Sequence, residues 1–180
     1  MRIIAGSRKG HTIYAPKGLD TRPTGDRVRE AAFNLIGPVD GARVLDLFAG
    51  SGAMGLEALS RGADRAVFVE SDADAARAIE RNLDKLRLTG ATVLRRDALE
   101  ALAAETAAGR DYDLVLVDPP YAMFADLQPQ LARYLPSILA PDGLVVVETD
   151  TRVEPVLPPL AVRTSRRYGA ARLSLFERAP

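Results

Sequence analysis

The 180-residue chain contains no cysteine and a single histidine, His11. Without cysteine there is no disulfide, no thiolate nucleophile and no Cys-based zinc site. One histidine excludes histidine-based metal clusters and argues against a Ser-His-Asp triad. No apolar run approaches the ~20 residues that span a bilayer. The N-terminal Met1-Arg2-Ile3-Ile4-Ala5-Gly6 lacks a secretory apolar region. An excess of one charge sign is missing too, with 24 Lys/Arg against 24 Asp/Glu. These absences, with an ordinary apolar fraction of 47%, describe one cytoplasmic globular protein with its own core and no membrane contact. Its chemistry rests on neither Cys nor His, and no metal is expected.

The zero net charge hides an uneven distribution. Residues 1–36 carry seven Lys/Arg against three Asp/Glu, and residues 161–180 carry five against one. Residues 37–160 carry twelve against twenty. A solvated surface is the bland account of any single basic run. An acidic body with two basic ends also suits a polyanion that meets both ends.

Element order comes next. Residues 2–15 read as a short hairpin, Arg2–Ala5 and Thr12–Ala15, around a Gly-Ser-Arg-Lys-Gly turn. A loop rich in Pro, Gly and Thr follows to Gly25. Asp26 is placed as the N-cap of a helix over Arg27–Ile36, with Val28, Ala31, Ala32 and Leu35 at helical spacing. From residue 43 strands and helices alternate. Strands are expected at 43–47, 66–70, 92–95, 114–118 and 144–148, with helices at 53–61, 73–87, 98–107 and about 124–138. The unbroken runs Leu114–Val117 and Leu144–Val147 suit parallel strands buried on both faces. Two last strands, about 161–167 and 172–177, meet at Tyr168-Gly169-Ala170 as an antiparallel hairpin. The fold class is therefore α/β: a doubly wound, mostly parallel, seven-stranded Rossmann-like sheet ending in an antiparallel hairpin. Residues 1–36 form a small hairpin and helix extension to the domain at 37–180. Ligands of such sheets bind at the carboxyl ends of the strands.

Two segments at those ends carry chemistry. In Val44-Leu45-Asp46-Leu47-Phe48-Ala49-Gly50-Ser51-Gly52-Ala53-Met54-Gly55 the first strand turns into a helix. Gly50 and Gly52 permit a tight turn and a close approach to ligand. Gly50-x-Gly52-x-x-Gly55, with Glu70 twenty residues after Gly50, matches a dinucleotide fingerprint and does not separate NAD from S-adenosylmethionine. Asp46 favours the second, since its carboxylate repels a pyrophosphate and suits a sulfonium and an ammonium. The second segment, Asp118-Pro119-Pro120-Tyr121, ends strand four beside strand one. Its prolines lack N–H donors and fix the backbone. They can hold the Pro119 carbonyl outward as an acceptor, with Asp118 as a second acceptor and Tyr121 as a flat ring. That set fits a planar base with an exocyclic amine. Accepting the two N–H bonds favours a pyramidal nitrogen and aims its lone pair, so transfer needs mainly orientation and electrostatics.

Asp46 to Gly52 resembles the first motif of class I methyltransferases. The resemblance implies a cofactor set of Asp46, Phe48, Gly50, Ser51, Gly52, Glu70, Ser71, Asp97, Ala98 and Asp118. Glu70 would hold the ribose hydroxyls, and Asp97 the adenine amine near the Ala98 backbone. A helix N-cap is the competing role for Asp97. The resemblance narrows with Arg2–Gly6, Thr21-Arg22-Pro23-Thr24-Gly25-Asp26-Arg27-Val28-Arg29-Glu30, Phe33-Asn34, Gly55–Ala63 and Asp118–Tyr121. These look like the RsmD family, bacterial enzymes that methylate a guanine N2 of small-subunit ribosomal RNA. The family implies that Thr24 or Arg27 reaches the methionine carboxylate and that Arg22 or Arg29 reaches RNA phosphate. It would add Arg8 and Lys9 to the RNA surface. The implied partner is ribosomal RNA, in a subunit or an assembly intermediate, and nothing requires more than a monomer. Alternatives are an adenine-N6 methyltransferase on DNA or RNA, an NAD-dependent oxidoreductase and a non-catalytic RNA-binding module.

Overall fold

The computed structural model describes residues 1–16 and 23–180. Seven strands form one sheet in the order β3-β2-β1-β4-β5-β7-β6. They are β1 (Arg43–Leu47), β2 (Arg65–Val69), β3 (Ala91–Leu94), β4 (Tyr112–Val117), β5 (Leu139–Asp150), β6 (Ala161–Tyr168) and β7 (Ala171–Glu177). The first five are parallel, and β7 is antiparallel to both β5 and β6. The helices are α1 (Pro23–Ile36), α2 (Ala53–Ser60), α3 (Ala73–Leu86), α4 (Ala98–Ala107) and α5 (Phe124–Ile138), with a short 3₁₀ turn at Tyr121–Met123 before the last. This is the doubly wound sheet with a terminal hairpin that the sequence predicts.

Alternation of side chains along the strands splits the core into two layers. Val44, Phe68, Leu116, Val146 and Leu175 face Phe33 of α1, Leu56 of α2 and Ile79 of α3. Leu45, Val69, Val117, Val147 and Phe176 face Leu102 of α4 and Leu131 and Leu135 of α5. Gly55 makes the first layer possible. A Cβ there would lie 2.4 Å from Phe68 Cε1 and 3.0 Å from Asp46 Oδ2, so the third glycine of the loop serves helix-to-sheet packing.

Several boundaries differ from expectation. The N-terminal hairpin shrinks to one bridge, Arg2 with Thr12. Ile3 N–H to His11 O at 2.9 Å, Gly10 N–H to Ile3 O at 2.8 Å and Ile13 N–H to Met1 O at 3.0 Å still join its two arms. The next donors turn to α2: Ile4 and Ala5 N–H donate to the Glu57 carboxylate at 2.9 and 3.0 Å, and Ser7 N–H to Ser60 O at 2.7 Å. Helix α1 begins at Pro23, so Asp26 lies in its first turn and is not the cap. Proline tolerates the first turn because its missing N–H has no helical partner there. β5 starts earlier, at Leu139, where it pairs with Tyr112 before a register shift, and it runs on to Asp150 along β7.

Candidate active site

β1 and β4 are neighbours, and the chain leaves them in opposite directions, to β2 on one side and β5 on the other. That divergence opens a cleft at their carboxyl ends. The β1 exit reverses sharply: Phe48 has φ 59°, Gly50 φ 58° and Gly52 φ 80°. Phe48 is the informative one, since a bulky residue in the left-handed region is costly and concentrates at functional turns. Asp46, the next-to-last residue of β1, is 2% exposed and accepts the Gly55 N–H at 2.9 Å. Glu70, just past β2, joins two loops. Its Oε2 accepts Gly50 N–H at 2.7 Å and its Oε1 accepts Asp72 N–H at 3.0 Å. Each oxygen keeps a second lone pair for another donor.

Four carboxylates continue one sheet face at the carboxyl ends of the strands, Asp46 and Glu148 within β1 and β5, Glu70 and Asp118 just past β2 and β4. Asp46 follows Val44, Glu70 follows Phe68, Asp118 follows Leu116 and Glu148 follows Val146, each two residues on. Val117 pairs with Val147, which puts Asp118 and Glu148 at the same level on adjacent strands. This crowding has an electrostatic signature. Burial first, then the charge of Glu70, pushes the Asp46 carboxyl up to about 8, against the opposing Gly55 hydrogen bond. Asp118 opens to the cleft, but the protein packed around its carboxyl thins the surrounding water. That crowding, followed by the charges of Glu148 and Asp46, raises it well above the usual carboxylate range. A cation held among these groups would relieve the repulsion.

The Asp118–Tyr121 segment is built as a rigid acceptor edge. Pro119 is buried and Pro120 exposed. Pro120 O accepts Met123 N–H at 2.9 Å, closing the 3₁₀ turn, while Pro119 O takes no hydrogen bond among the described residues. Tyr121 is half-buried, and its hydroxyl donates to Glu148 Oε1 at 2.9 Å. Glu148 thereby ties the aromatic ring to the carboxylate row. It went unassigned from sequence, although it ends an apolar run just as Asp118 does, and that pattern is the signal that finds it.

Other expected site residues divide into two groups. Gly50, Ser51, Gly52, Glu70, Ser71, Asp97 and Ala98 border the β1, β2 and β3 exits together. Asp97 caps α4, with its Oδ1 accepting Leu99 and Glu100 N–H at 2.9 and 3.0 Å. Arg27 is exposed on α1. Arg22 and the side chain of Thr24 lie outside the described residues. The remaining RNA contacts need correction. Arg29 is 3% exposed and turned inward. Its guanidinium bonds Asp26 Oδ1 at 2.9 Å and Arg2 O, and faces Glu57 Oε2 at 3.4 Å. It is a buried brace between α1, α2 and the N-terminus, shut off from any phosphate. Arg8 is also committed, since its guanidinium caps the end of α3 through Leu86 O and Arg87 O. Lys9 is exposed on the same turn. That turn lies beside Ser60 and Leu86, the last residues of α2 and α3, and so at the amino edge of the sheet, opposite the cleft. Asn82, unnoticed in the sequence, links the segments. It brackets Tyr14 through Oδ1 to N–H at 2.7 Å and Nδ2 to O at 2.9 Å, and donates to Ser51 O at 3.2 Å.

The family model described as Conserved hypothetical protein 95 matches residues 1–177. The chain belongs to this family. It is the RsmD family that the motifs resemble. The Bacillus subtilis protein YlbH is 40% identical over 184 residues, covering 99% of each chain. A Haemophilus influenzae protein named ribosomal RNA small subunit methyltransferase D is 35% identical and covers 88% of this chain and 83% of its own. The Escherichia coli protein of that name is 43% identical over 122 residues, spanning 67% of this chain and 60% of its own. Among solved structures, a hypothetical protein of Thermus thermophilus superposes with a TM-score of 0.85 at 33% identity, covering 98% of this chain and 99% of that one.

Proposed function

We propose that this chain is an S-adenosylmethionine-dependent methyltransferase that modifies the exocyclic N2 of a guanine in small-subunit ribosomal RNA. The observation that carries the reading is the row of carboxylates at the carboxyl ends of β1, β2, β4 and β5, which includes Asp118 with the Pro119 carbonyl next to it. The row fits a cationic nucleoside. Glu70 keeps lone pairs for a ribose diol, and Asp46 and Asp118 sit where a positive charge lowers their cost of ionisation. A dinucleotide would instead bring a pyrophosphate against Asp46. Phe48, Gly50, Ser51 and Gly52 would form the wall behind the ligand. Ser71, Asp97 and Ala98 would border its adenine, and Thr24 and Arg27 would meet its carboxylate. When bound, S-adenosylmethionine supplies an electrophilic methyl group.

The chain's own residues do the rest. Asp118 and the Pro119 carbonyl accept the two N–H bonds of the target amine, which fixes its lone pair for in-line attack. The Tyr121 ring, held by Glu148, stacks on the base. After transfer the extra proton passes to Asp118 or to water. The base has to be unpaired or flipped out to reach this pocket. The relatives' names support ribosomal RNA as the substrate, and the resemblance supports N2 of guanine. The test is methyl transfer from labelled donor to small-subunit ribosomal RNA taken from cells lacking this protein. Nucleoside digestion and mass spectrometry should yield N2-methylguanosine. Label recovered only as N6-methyladenosine, or none recovered, overturns the assignment.

A further inference from the structure

Among the described residues, the basic turn at Arg8–Lys9 and the arginines of the C-terminal hairpin stand at opposite edges of the sheet. The Arg8–Lys9 turn lies at the amino edge. β6 and β7 instead bring the C-terminal arginines to the carboxyl edge. Asp150 pairs with Ala171, and Ala171 with Tyr168, so the Tyr168–Ala171 turn sits at the same rim as Glu148. Glu148 pairs with Leu173, and Leu173 with Arg166. Asp118, Glu148, Leu173 and Arg166 therefore form one cross-strand row on one sheet face. At ~4.8 Å per strand, Arg166 stands about 14 Å from Asp118. That distance is close to four stacking steps of ~3.4 Å each along a nucleotide strand.

This rim gathers exposed cations, a buried polar floor and an aromatic ring. Glu154, Ser165, Arg166, Arg167, Tyr168 and Arg172 line an open depression of about 570 Å³. Arg172 forms its fixed floor. It is 4% exposed, donates to Thr151 O at 3.2 Å and Ser165 Oγ at 3.0 Å, and pairs with Glu154 at 3.4 Å. Arg166 and Arg167 are exposed, and neither side chain makes an ion pair or hydrogen bond among the described residues. As neighbours on an edge strand they straddle the edge, one toward each face. Tyr168 beside them is half-buried. Free guanidiniums next to an aromatic ring match the way single-stranded RNA is held, by phosphate contacts and base stacking. The need for cations here is specific, because the carboxylate row next door repels a polyanion.

We infer that the rim formed by Arg166, Arg167 and Tyr168 is the surface that docks the RNA strand flanking the target base. This rests on the ribosomal RNA substrate proposed above. Arg166 and Arg167 bind the phosphates, and Tyr168 carries an unstacked base. The test compares Arg166→Gln/Arg167→Gln with Lys9→Gln and wild type, using unmodified small-subunit ribosomal RNA. Direct RNA binding is measured across a salt series, alongside steady-state methyl transfer and affinity for the donor. The double variant is expected to lose roughly tenfold in RNA affinity near 0.1 M salt, and its log-log salt slope should fall by about 1.5. KM for RNA should rise in step, with kcat and donor affinity unchanged. Lys9→Gln should match wild type. Arg166→Lys/Arg167→Lys should recover the salt slope. Wild-type RNA affinity and salt slope in the double variant would overturn the docking surface. Wild-type protein that binds the RNA and transfers no methyl to it would overturn the substrate reading instead, and the binding series still decides the surface.

Discussion

Glu57→Ala is expected to be among the most damaging single changes outside the cleft. The Glu57 side chain is 0% exposed, accepts three hydrogen bonds and makes a further charge contact. It accepts Ile4 N–H at 2.9 Å, Ala5 N–H at 3.0 Å and Arg61 Nε at 2.9 Å, and faces Arg29 Nε at 3.4 Å. Arg29 Nε has no hydrogen bond, so it depends on Glu57 through charge alone. Removing the carboxylate leaves a buried guanidinium uncompensated, at a cost of about 3–5 kcal/mol. Asp26 still pairs with Arg29 at 2.9 Å and is 36% exposed, which favours the lower part of that range. The two orphaned backbone donors belong to half-buried residues, so water recovers much of their loss. A net loss of roughly 3–4 kcal/mol corresponds to a fall of about 6–16 °C in Tm for a domain of this size. Urea melts should show the loss as a lower midpoint at unchanged slope, and amide exchange should accelerate through residues 1–14. Glu57→Gln, which keeps one acceptor oxygen, should lose less. Adding Arg29→Met to Glu57→Ala should restore part of the stability, because the stranded charge is gone. A loss below about 1 kcal/mol in Glu57→Ala would refute the brace.

Asp118→Ala should abolish methyl transfer while donor affinity, read by calorimetry, stays within a few-fold. Near wild-type turnover would remove Asp118 from the chemistry. Glu70→Ala should act the other way, weakening donor binding at least tenfold and loosening the Gly50 and Asp72 loops, whose N–H groups lose their acceptor; unchanged donor affinity would contradict this. The pH dependence of stability carries the mark of Asp46. Its folded-state value of about 8 lies above the ordinary 3.8, so the folded state holds the extra proton between those values. The acid's contribution is then present below about pH 4 and is lost as pH rises toward 8. Urea melts of Asp46→Asn should decline less with pH across that window than wild type, by an amount on the order of a few kcal/mol. Parallel profiles would mean that Asp46 ionises normally.

The sheet was readable in the sequence because its parallel strands are apolar on both sides. Leu114–Val117 and Leu144–Val147 suit such strands in an alternating chain, and each is followed by a carboxylate that marks the cleft. The glycine loop was readable for a similar reason, since it sits at a strand-to-helix junction. The phase of α1 was not. Val28, Ala31, Ala32 and Leu35 suggest one apolar face, yet the buried row is Arg29, Ala32 and Phe33, rotated by about one residue, or ~100°. An arginine in that row looks like surface until Glu57, 28 residues away, supplies its partner. The reach of the Arg8–Lys9 turn was hidden too. Local sequence says that it is basic, while only the descent of α2 and α3 across the sheet decides which edge it meets. Glu148 was visible but unweighted, because its meaning depends on the register that sets it beside Asp118.

The two basic ends and the acidic middle then acquire a physical division of labour. The N-terminal cations Arg8 and Arg29 are engaged by helix ends and by a buried carboxylate, so their charge supports the fold. The C-terminal cations Arg166 and Arg167 remain available at the cleft rim. A cleft lined by Asp46, Glu70, Asp118 and Glu148 attracts a cationic donor and repels the phosphates of an RNA acceptor. Both ligands have to be present for transfer. Two strand spacings part Arg166 from Glu148 and three part it from Asp118, which lets each ligand meet its own counter-charge within one sheet edge. Strand order sets that separation: β7 inserts between β5 and β6 and carries the arginines away from the carboxylates without leaving the rim. An arginine moved inward onto β5 would pair with Glu148 and weaken both functions, which gives a physical reason for placing the cations on the edge strand.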